Sequence, residues 1–298
     1  MIAKKMSDLL GREVTRKDLY LKKVIIEDGV ENICPNCLCR IKRMESIVIP
    51  NSVVKIETLS FRGCKNLKAL EIPESVEEID PYAFGYCFSL ESIVVDKNNP
   101  VFDSRENCNA IIRKKDNVLV LGCKNTIIPN GVKRIGAGAF KSCTDMESLY
   151  IPESLTQLFS YTFPFHGELM SIVVDDNNRY YDSRDNCNAI IRKSTNTLLY
   201  GCNTSTIPNS IISIESEAFK DCAKIKSIVI PEGLESINEH AFDGCSNLSS
   251  ITLPNSLTYI GKGAFYGCKR SKVFNIPKGT KDKFTSLLPQ YERNLREV

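Results

Sequence analysis

From Pro231 to Pro254 the chain reads PEGLESINEHAFDGCSNLSSITLP, and its apolar positions fall at fixed places. With Pro231 as place one, they are Leu234 (fourth), Ile237 (seventh), Ala241 and Phe242 (eleventh and twelfth), Cys245 (fifteenth), Leu248 (eighteenth), Ile251 (twenty-first) and Leu253 (twenty-third). Pro254 restarts the count. A hydrophobic pattern renewed every 23 residues predicts a stack of repeated units rather than one globular core. Carried along the chain, place one falls on Glu27, Pro50, Pro73, Asp96, Pro129, Pro152, Asp175, Pro208, Pro231, Pro254 and Pro277. The intervals are 23 residues except after Asp96 and Asp175, where they are 33. DSRENCNAIIRK at 103–114 accordingly returns as DSRDNCNAIIRK at 182–193, an offset of 79.

Each unit predicts its own local structure. The residues before place one alternate and are β-branched, as in Ser227-Ile228-Val229-Ile230, which favours a short strand. Proline then ends the ladder because it has no N–H to donate. A small residue two places on (Ser52, Ser75, Gly131, Ser154, Ser210, Gly233, Ser256) suits a turn. Ala-Phe-x-x-Cys-x-x-Leu has three- and four-residue spacing and reads as a short helical turn. One strand per coil predicts eleven stacked parallel strands and, from chain handedness, a right-handed superhelix. The twelfth-place residues Leu38, Phe61, Phe84, Phe140, Phe163, Phe219, Phe242 and Phe265 should form a ladder inside it. In the 33-residue units, apolar runs at 110–112 and 118–121, and again at 189–191 and 197–200, flank polar segments and predict β-hairpins projecting from the coil.

The fold class is therefore an α/β solenoid with one long parallel sheet, short helical turns opposite it and two inserted hairpins. Residues 1–22 do not fit the repeat and read as an N-terminal cap, residues 23–278 as the solenoid, and residues 279–298 as a C-terminal helical cap. In that last segment Phe284, Leu287, Leu288, Tyr291 and Leu295 share a helical face, Thr280 is placed to cap it, and Pro289 breaks it into two short helices.

Composition excludes several functions. A net charge of +3 on 298 residues is too balanced to predict nucleic-acid binding. No run approaches a membrane-spanning length, and the charged first 20 residues contain no apolar core of signal-peptide length, so the chain as written would stay in the cytosol. There is no Gly-rich phosphate loop and no Ser-His-Asp set, and of the two histidines His166 takes a fifteenth place in the core while His240 lies at a solvated tenth place. The chain reads as non-enzymatic and free of cofactors.

The 13 cysteines are mostly at repeat places, which favours free thiols. Cys64, Cys87, Cys143, Cys222, Cys245 and Cys268 hold the fifteenth place, where Ile41 stands in the first repeat; a residue that Ile replaces is packing, not chemistry. Cys34-Pro-Asn-Cys37-Leu-Cys39 has the spacing of a redox couple or half a zinc site. No second pair completes a zinc set, and Cys37 holds an inward-facing alanine place, so the thiol-redox or zinc reading ranks third among the functions. Cys108–Cys123 and Cys187–Cys202 are equivalent pairs, either disulfides of an exported protein or packing residues of the hairpin coils, the second being favoured.

The pattern Ile-Pro-x-Ser-Val-x-x-Ile-x-x-x-Ala-Phe-x-x-Cys-x-x-Leu resembles the BspA-type leucine-rich repeat family over residues 23–284. DSRENCNAIIRK followed by GCKNTIIPNGV, and the closing IPKGTKDKF, resemble the version found in gut Bacteroides-type bacteria. The resemblance implies a leucine-rich-repeat solenoid that binds a protein or glycan, often as a secreted or surface adhesin, without inserting into a membrane. In such a horseshoe the twenty-second-place row lies on the concave face. Here that row is Ile25, Val48, Glu71, Val94, Ile127, Tyr150, Val173, Thr206, Val229, Thr252 and Asn275, beside a twentieth-place row that is mostly serine. A stripe of exposed Val, Ile and Tyr is either a partner surface or simply strand propensity. The alternative function is an intracellular scaffold that self-associates through the same stripe.

Overall fold

Residues one period apart in the sequence lie side by side in space. In the computed structural model, which describes residues 6–11, 18, 20–159, 162–163, 167–270 and 272–298, Ser227, Ile228 and Val229 pair in parallel with Ser250, Ile251 and Thr252. These pair in turn with Val273, Phe274 and Asn275. The same 23-residue register joins Lys23–Ile25 to Ser46–Val48, Ala69–Ile72 to Ser92–Val95, and Ser148–Ile151 to Ser171–Val174. The protein is a right-handed solenoid with this parallel strand row on one face and turns on the opposite one. The chain divides into two compact units, Met1–Thr144 with Ser154–Pro164, and Asp145–Glu153 with Phe165–Val298.

Three repeated devices hold successive coils together. The first is the aromatic ladder. Phe61 and Phe84 stack at 4.8 Å and 3°, Phe219 and Phe242 at 4.9 Å and 9°, and Phe242 and Phe265 at 5.4 Å and 4°. Phe140 and Phe163 meet at 5.2 Å but are tilted by 48°. The second explains the cysteines. The Cys64 thiol donates to the Leu38 carbonyl at 3.0 Å, Cys87 to Phe61 at 3.2 Å, Cys245 to Phe219 at 3.1 Å and Cys268 to Phe242 at 3.2 Å. Each is a small apolar residue that also satisfies a carbonyl of the preceding coil, as a valine or alanine could not. The third is the serine two places after proline: Ser52, Ser75, Ser154 and Ser256 donate to the carbonyls of Val30, Val53, Val132 and Leu234, at 2.7–2.9 Å.

The seventh-place residues build a second strand row that the sequence reading did not foresee. Asn32–Ile33, Lys55–Ile56 and Glu78–Ile79 form one three-stranded parallel sheet. The hairpins belong to this row and do not project. Ile190–Arg192 and Thr197–Tyr200 are antiparallel, with Tyr181–Asp182 as an unforeseen third strand, and Thr197–Tyr200 continues in parallel into Ser213–Ile214, Ser236–Ile237 and Tyr259–Ile260. The equivalent Val118–Gly122 is buried along its whole length. A continuous apolar run has two faces to bury, and only the interior of a sheet covers both.

Each hairpin coil opens on a buried asparagine in place of the usual fourth-place Leu or Val. Asn99 donates to the carbonyls of Pro73 and Val76 at 2.8 and 2.9 Å and accepts from the amides of Val101 and Phe102 at 2.9 and 2.8 Å. Asn178 repeats the arrangement with Pro152, Tyr180 and Tyr181. Arg105 then clamps Asp103 with two hydrogen bonds of 2.8 and 2.7 Å and reaches Asn117 at 3.1 Å. Arg184 does the same with Asp182 and Asn196. The recurring DSREN and DSRDN motifs are this knot.

Of the eleven positions expected on the main strand row, nine are strands; Ile127 and Thr206 are not. Their amides donate to Cys108 and Cys187 of the hairpin coil, at 3.1 and 3.0 Å, instead of to a neighbouring strand. At the C-terminus, helix Lys281–Leu287 buries Phe284, but the Thr280 hydroxyl turns back to the Pro277 carbonyl at 2.6 Å and does not cap it. Leu295 lies in a strand, Leu295–Glu297, paired with Val273–Ile276, and not on a helical face. At the other end Leu9 of helix Met6–Leu10 is buried in the same cluster as Val24 and Ile26.

Candidate binding face

In every strand of the main row the twenty-first and twenty-third places point into the core, so the twenty-second faces solvent. Ile25, Val48, Val94, Ile127, Tyr150, Val173 and Val229 are between 40% and 67% exposed, unusual for aliphatic and aromatic side chains in a row. Glu71 and Thr206 are also exposed, and Thr252 and Asn275 are half-buried. In the first unit Val48, Glu71 and Val94 line a shallow groove of about 300 Å3 that also touches Asn51 and Asp96. In the second unit Tyr150 and Val173 are register partners. The Tyr150 hydroxyl donates to Asp175 Oδ2 at 2.5 Å, which fixes the ring. That bond holds the phenol proton, so the Tyr150 hydroxyl is pushed up to about 12, and it holds the Asp175 carboxyl below its ordinary range. Ser46, Ser92, Ser148, Ser171, Ser227 and Ser250 flank the stripe and leave its apolar heads unobstructed.

The cysteines offer no comparable surface. Cys34 and Cys37 are joined as a disulfide with Cα atoms 5.4 Å apart, against the expectation of free thiols throughout. Asn36 adopts φ 59° and the Cys37 amide donates back to the Cys34 carbonyl at 3.2 Å, so this turn brings the two side chains together. Cys37 is half-buried, not fully inward, and Cys39 beside it is a free thiol. Both hairpin pairs are buried free thiols, with Cys123 and Cys202 donating to the carbonyls of Asn109 and Asn188 at 3.4 Å. Among the described residues no three metal-ligating side chains gather. His166 lies outside the described residues. His240 is partly exposed and meets Asp243 at 3.0 Å.

The family model for the BspA type leucine-rich repeat region matches residues 13–111, 120–196 and 190–288, in six copies. The chain belongs to the BspA type leucine-rich repeat family. No curated protein matches this member of it. Among solved structures it is similar to a leucine rich cell surface protein from Faecalibacterium prausnitzii A2-165, at 24% identity and a TM-score of 0.55, over 90% of this chain and 62% of that one. It thus spans about 62% of the length of that relative. It is also similar to the pneumococcal vaccine antigen PcpA, at 16% identity and a TM-score of 0.51, over 96% of this chain and 89% of that one. A Bacteroides ovatus leucine-rich repeat protein is 26% identical, with a TM-score of 0.44, over 92% of this chain and 76% of that one. The likeness is therefore not confined to Bacteroides-type bacteria. Outside the strand face, this BspA-type chain carries a second group of side chains that the sequence reading missed: exposed Arg40, Lys65 and Tyr86 and half-buried Arg62 on the turns. Their signal was present in the sequence as cations and an aromatic ring recurring at repeat places near the Ala-Phe turn.

Proposed function

We propose that the protein is a non-catalytic binding module that takes a protein or glycan partner on the concave strand face, with residues 1–22 and 279–298 closing the ends of the stack. The observation that carries this reading is the run of exposed Val, Ile and Tyr beside small serines within each unit: Ile25, Val48 and Val94 in the first, Tyr150, Val173 and Val229 in the second. A solenoid of this kind presents an extended surface for recognition, because each coil adds one residue to the row. The exposed apolar heads supply contact area, and Tyr150, held by Asp175, is a rigid aromatic anchor with little freedom left to lose. Tyr150 and Val173 form the centre of the contact in the second unit, and Val48, Glu71 and Val94 its counterpart in the first. The cell-surface description of the Faecalibacterium relative supports a surface or secreted location.

The test is a panel of immobilised extracellular proteins and glycans, probed with the wild type and with Tyr150→Asp combined with Val173→Asp. Both side chains are solvent-facing, so the variant folds. The reading predicts loss of whatever binding the wild type shows. Binding that survives the double substitution refutes it. Sedimentation of the protein alone, if it shows a dimer dissolved by the same substitutions, makes a second copy the occupant of the face.

A further inference from the structure

The turns of the first three coils carry a charge pattern that neither the strand face nor the packing of the solenoid uses. Residues 39–43, 62–66 and 85–89 occupy the same repeat places and hold five cations and no carboxylate, in a chain whose charges otherwise nearly balance. Arg40, Lys42, Arg62 and Lys65, with Tyr86 and Phe88, line an open pocket of about 510 Å3. None of these four cations forms an ion pair among the described residues.

Two further observations indicate a built site. The fourteenth place of the repeat is a left-handed turn position, filled by glycine at Gly63, Gly244 and Gly267 with φ of 76°, 76° and 69°. Arg40 and Tyr86 occupy that place with φ of 62° and 66°, as Asp221 does in the second unit with φ of 59°. L side chains adopt this conformation at a cost, and here two of them line the same pocket where glycine would serve the fold better. Second, two of the four cations, Arg62 and Lys65, lie over aromatic rings. The Arg62 guanidinium lies 5.3 Å over the Tyr86 ring, Lys65 Nζ 5.7 Å over Phe88, and Lys141 Nζ 5.4 Å over Tyr86. Tyr86 and Phe88 brace each other edge to face at 5.8 Å and 84°.

We propose that this pocket binds an anionic polysaccharide, its sulfate or carboxylate groups pairing with Arg40, Lys42, Arg62 and Lys65. The aromatic faces already carry cations and are not free for base stacking, which disfavours single-stranded nucleic acid. The coils step by 4.8 Å at the Phe61–Phe84 stack directly beneath, and the Arg40 and Gly63 amides each bond to the next coil at 2.8 Å. Lys42 and Lys65 hold the same place in adjacent coils, so their ammonium groups recur at one coil step, close to the advance from one sugar ring to the next along an extended polysaccharide. An extended acidic peptide places same-side carboxylates farther apart, at about 6.6 Å. The site is distinct from the strand face and does not rest on the function proposed for it.

The experiment is calorimetric titration of the full chain in low-salt buffer with a heparin-derived hexasaccharide and, separately, an oligogalacturonate. An oligothymidylate and poly-glutamate serve as competitors. Arg40→Gly installs the residue that other repeats use at this place, so its melting temperature should equal or exceed the wild type's. Its affinity for the sugar should fall at least about tenfold, as should that of Lys65→Glu. Lys226→Glu, the same charge change at an exposed site in the second unit, should bind like the wild type. Failure of both sugars to bind overturns the proposal. So does an equal loss with Lys226→Glu, or a sugar displaced by equimolar oligothymidylate or poly-glutamate.

Discussion

Gly201→Ala should destabilise the second unit through one identifiable collision. Gly201 follows the hairpin strand Thr197–Tyr200 and donates its amide to the Ala218 carbonyl at 2.8 Å, the bond that Phe219 makes to Ala241 one coil later. The hairpin coil therefore has a glycine where a ladder phenylalanine would stand, and Phe219 of the next coil fills the space. A Cβ on Gly201 would lie 2.1 Å from Phe219 Cε1 and 2.5 Å from Cδ1 and Cζ, so the ring must retreat. It has nowhere to go, because Phe242 stacks behind it at 4.9 Å and Phe265 behind that at 5.4 Å. Overpacking costs about 1–3 kcal/mol, with this approach at the upper end, while the stiffer unfolded chain returns about 0.4–1 kcal/mol. The net is about 2 kcal/mol, which lowers Tm by about 4–8 °C on calorimetry. Gly122→Ala, whose Cβ would meet Phe140 at 2.6 Å, should cost less. Phe219→Leu removes the colliding ring atoms, so the Gly201→Ala penalty should largely vanish in that background, a coupling of at least about 1 kcal/mol. Wild-type melting of Gly201→Ala, or the same penalty in both backgrounds, would refute the reasoning.

Phe242→Ala removes a fully buried ring stacked on both sides and should cost about 3–5 kcal/mol in urea unfolding, with hydrogen exchange accelerated in the adjoining coils first. Asn178→Leu restores the usual apolar residue but orphans the Pro152 carbonyl and the Tyr180 and Tyr181 amides, so it should lower stability by at least about 1–3 kcal/mol; a neutral result would remove the clamp from the account. Burial pushes the Cys64 thiol up to about 12 and the Cys108 thiol up to about 11, from an ordinary 9.0. The unfolded thiols release their protons first, so the unfolded state binds fewer protons above pH 9.0. Stability from these two groups is complete below that pH and is lost as pH rises through about 11 and about 12. Urea midpoints that fall between about pH 8 and about pH 11, but fall less in Cys64→Ala, would check this.

The main strand row, its register and the ladder were legible because each depends on one residue per period: a place in the count is a place in the coil. Chemistry between coils was not. Nothing local to Cys245 points to the Phe219 carbonyl 26 residues away. The second strand row was hidden because two-residue strands such as Ser236–Ile237 are too short to alternate. The hairpins were placed in sequence, but an apolar run does not reveal which surfaces will cover it. Nothing in the sequence around Gly122 and Gly201 marks them as the places against which Phe140 and Phe219 pack. The stripe was legible from alternation alone, whereas the turn pocket required comparing Arg40 and Tyr86 with glycines at the same place in other repeats.

The central claim is that the strand face is where a partner sits. Hydroxyl-radical footprinting, with and without a partner recovered from the binding panel, reads side-chain exposure residue by residue. The account predicts that Tyr150 and Val173 are oxidised in the free protein and protected in the complex, while Tyr266, exposed on a turn, is oxidised in both. A complex in which Tyr150 and Val173 stay as reactive as in the free protein would contradict it.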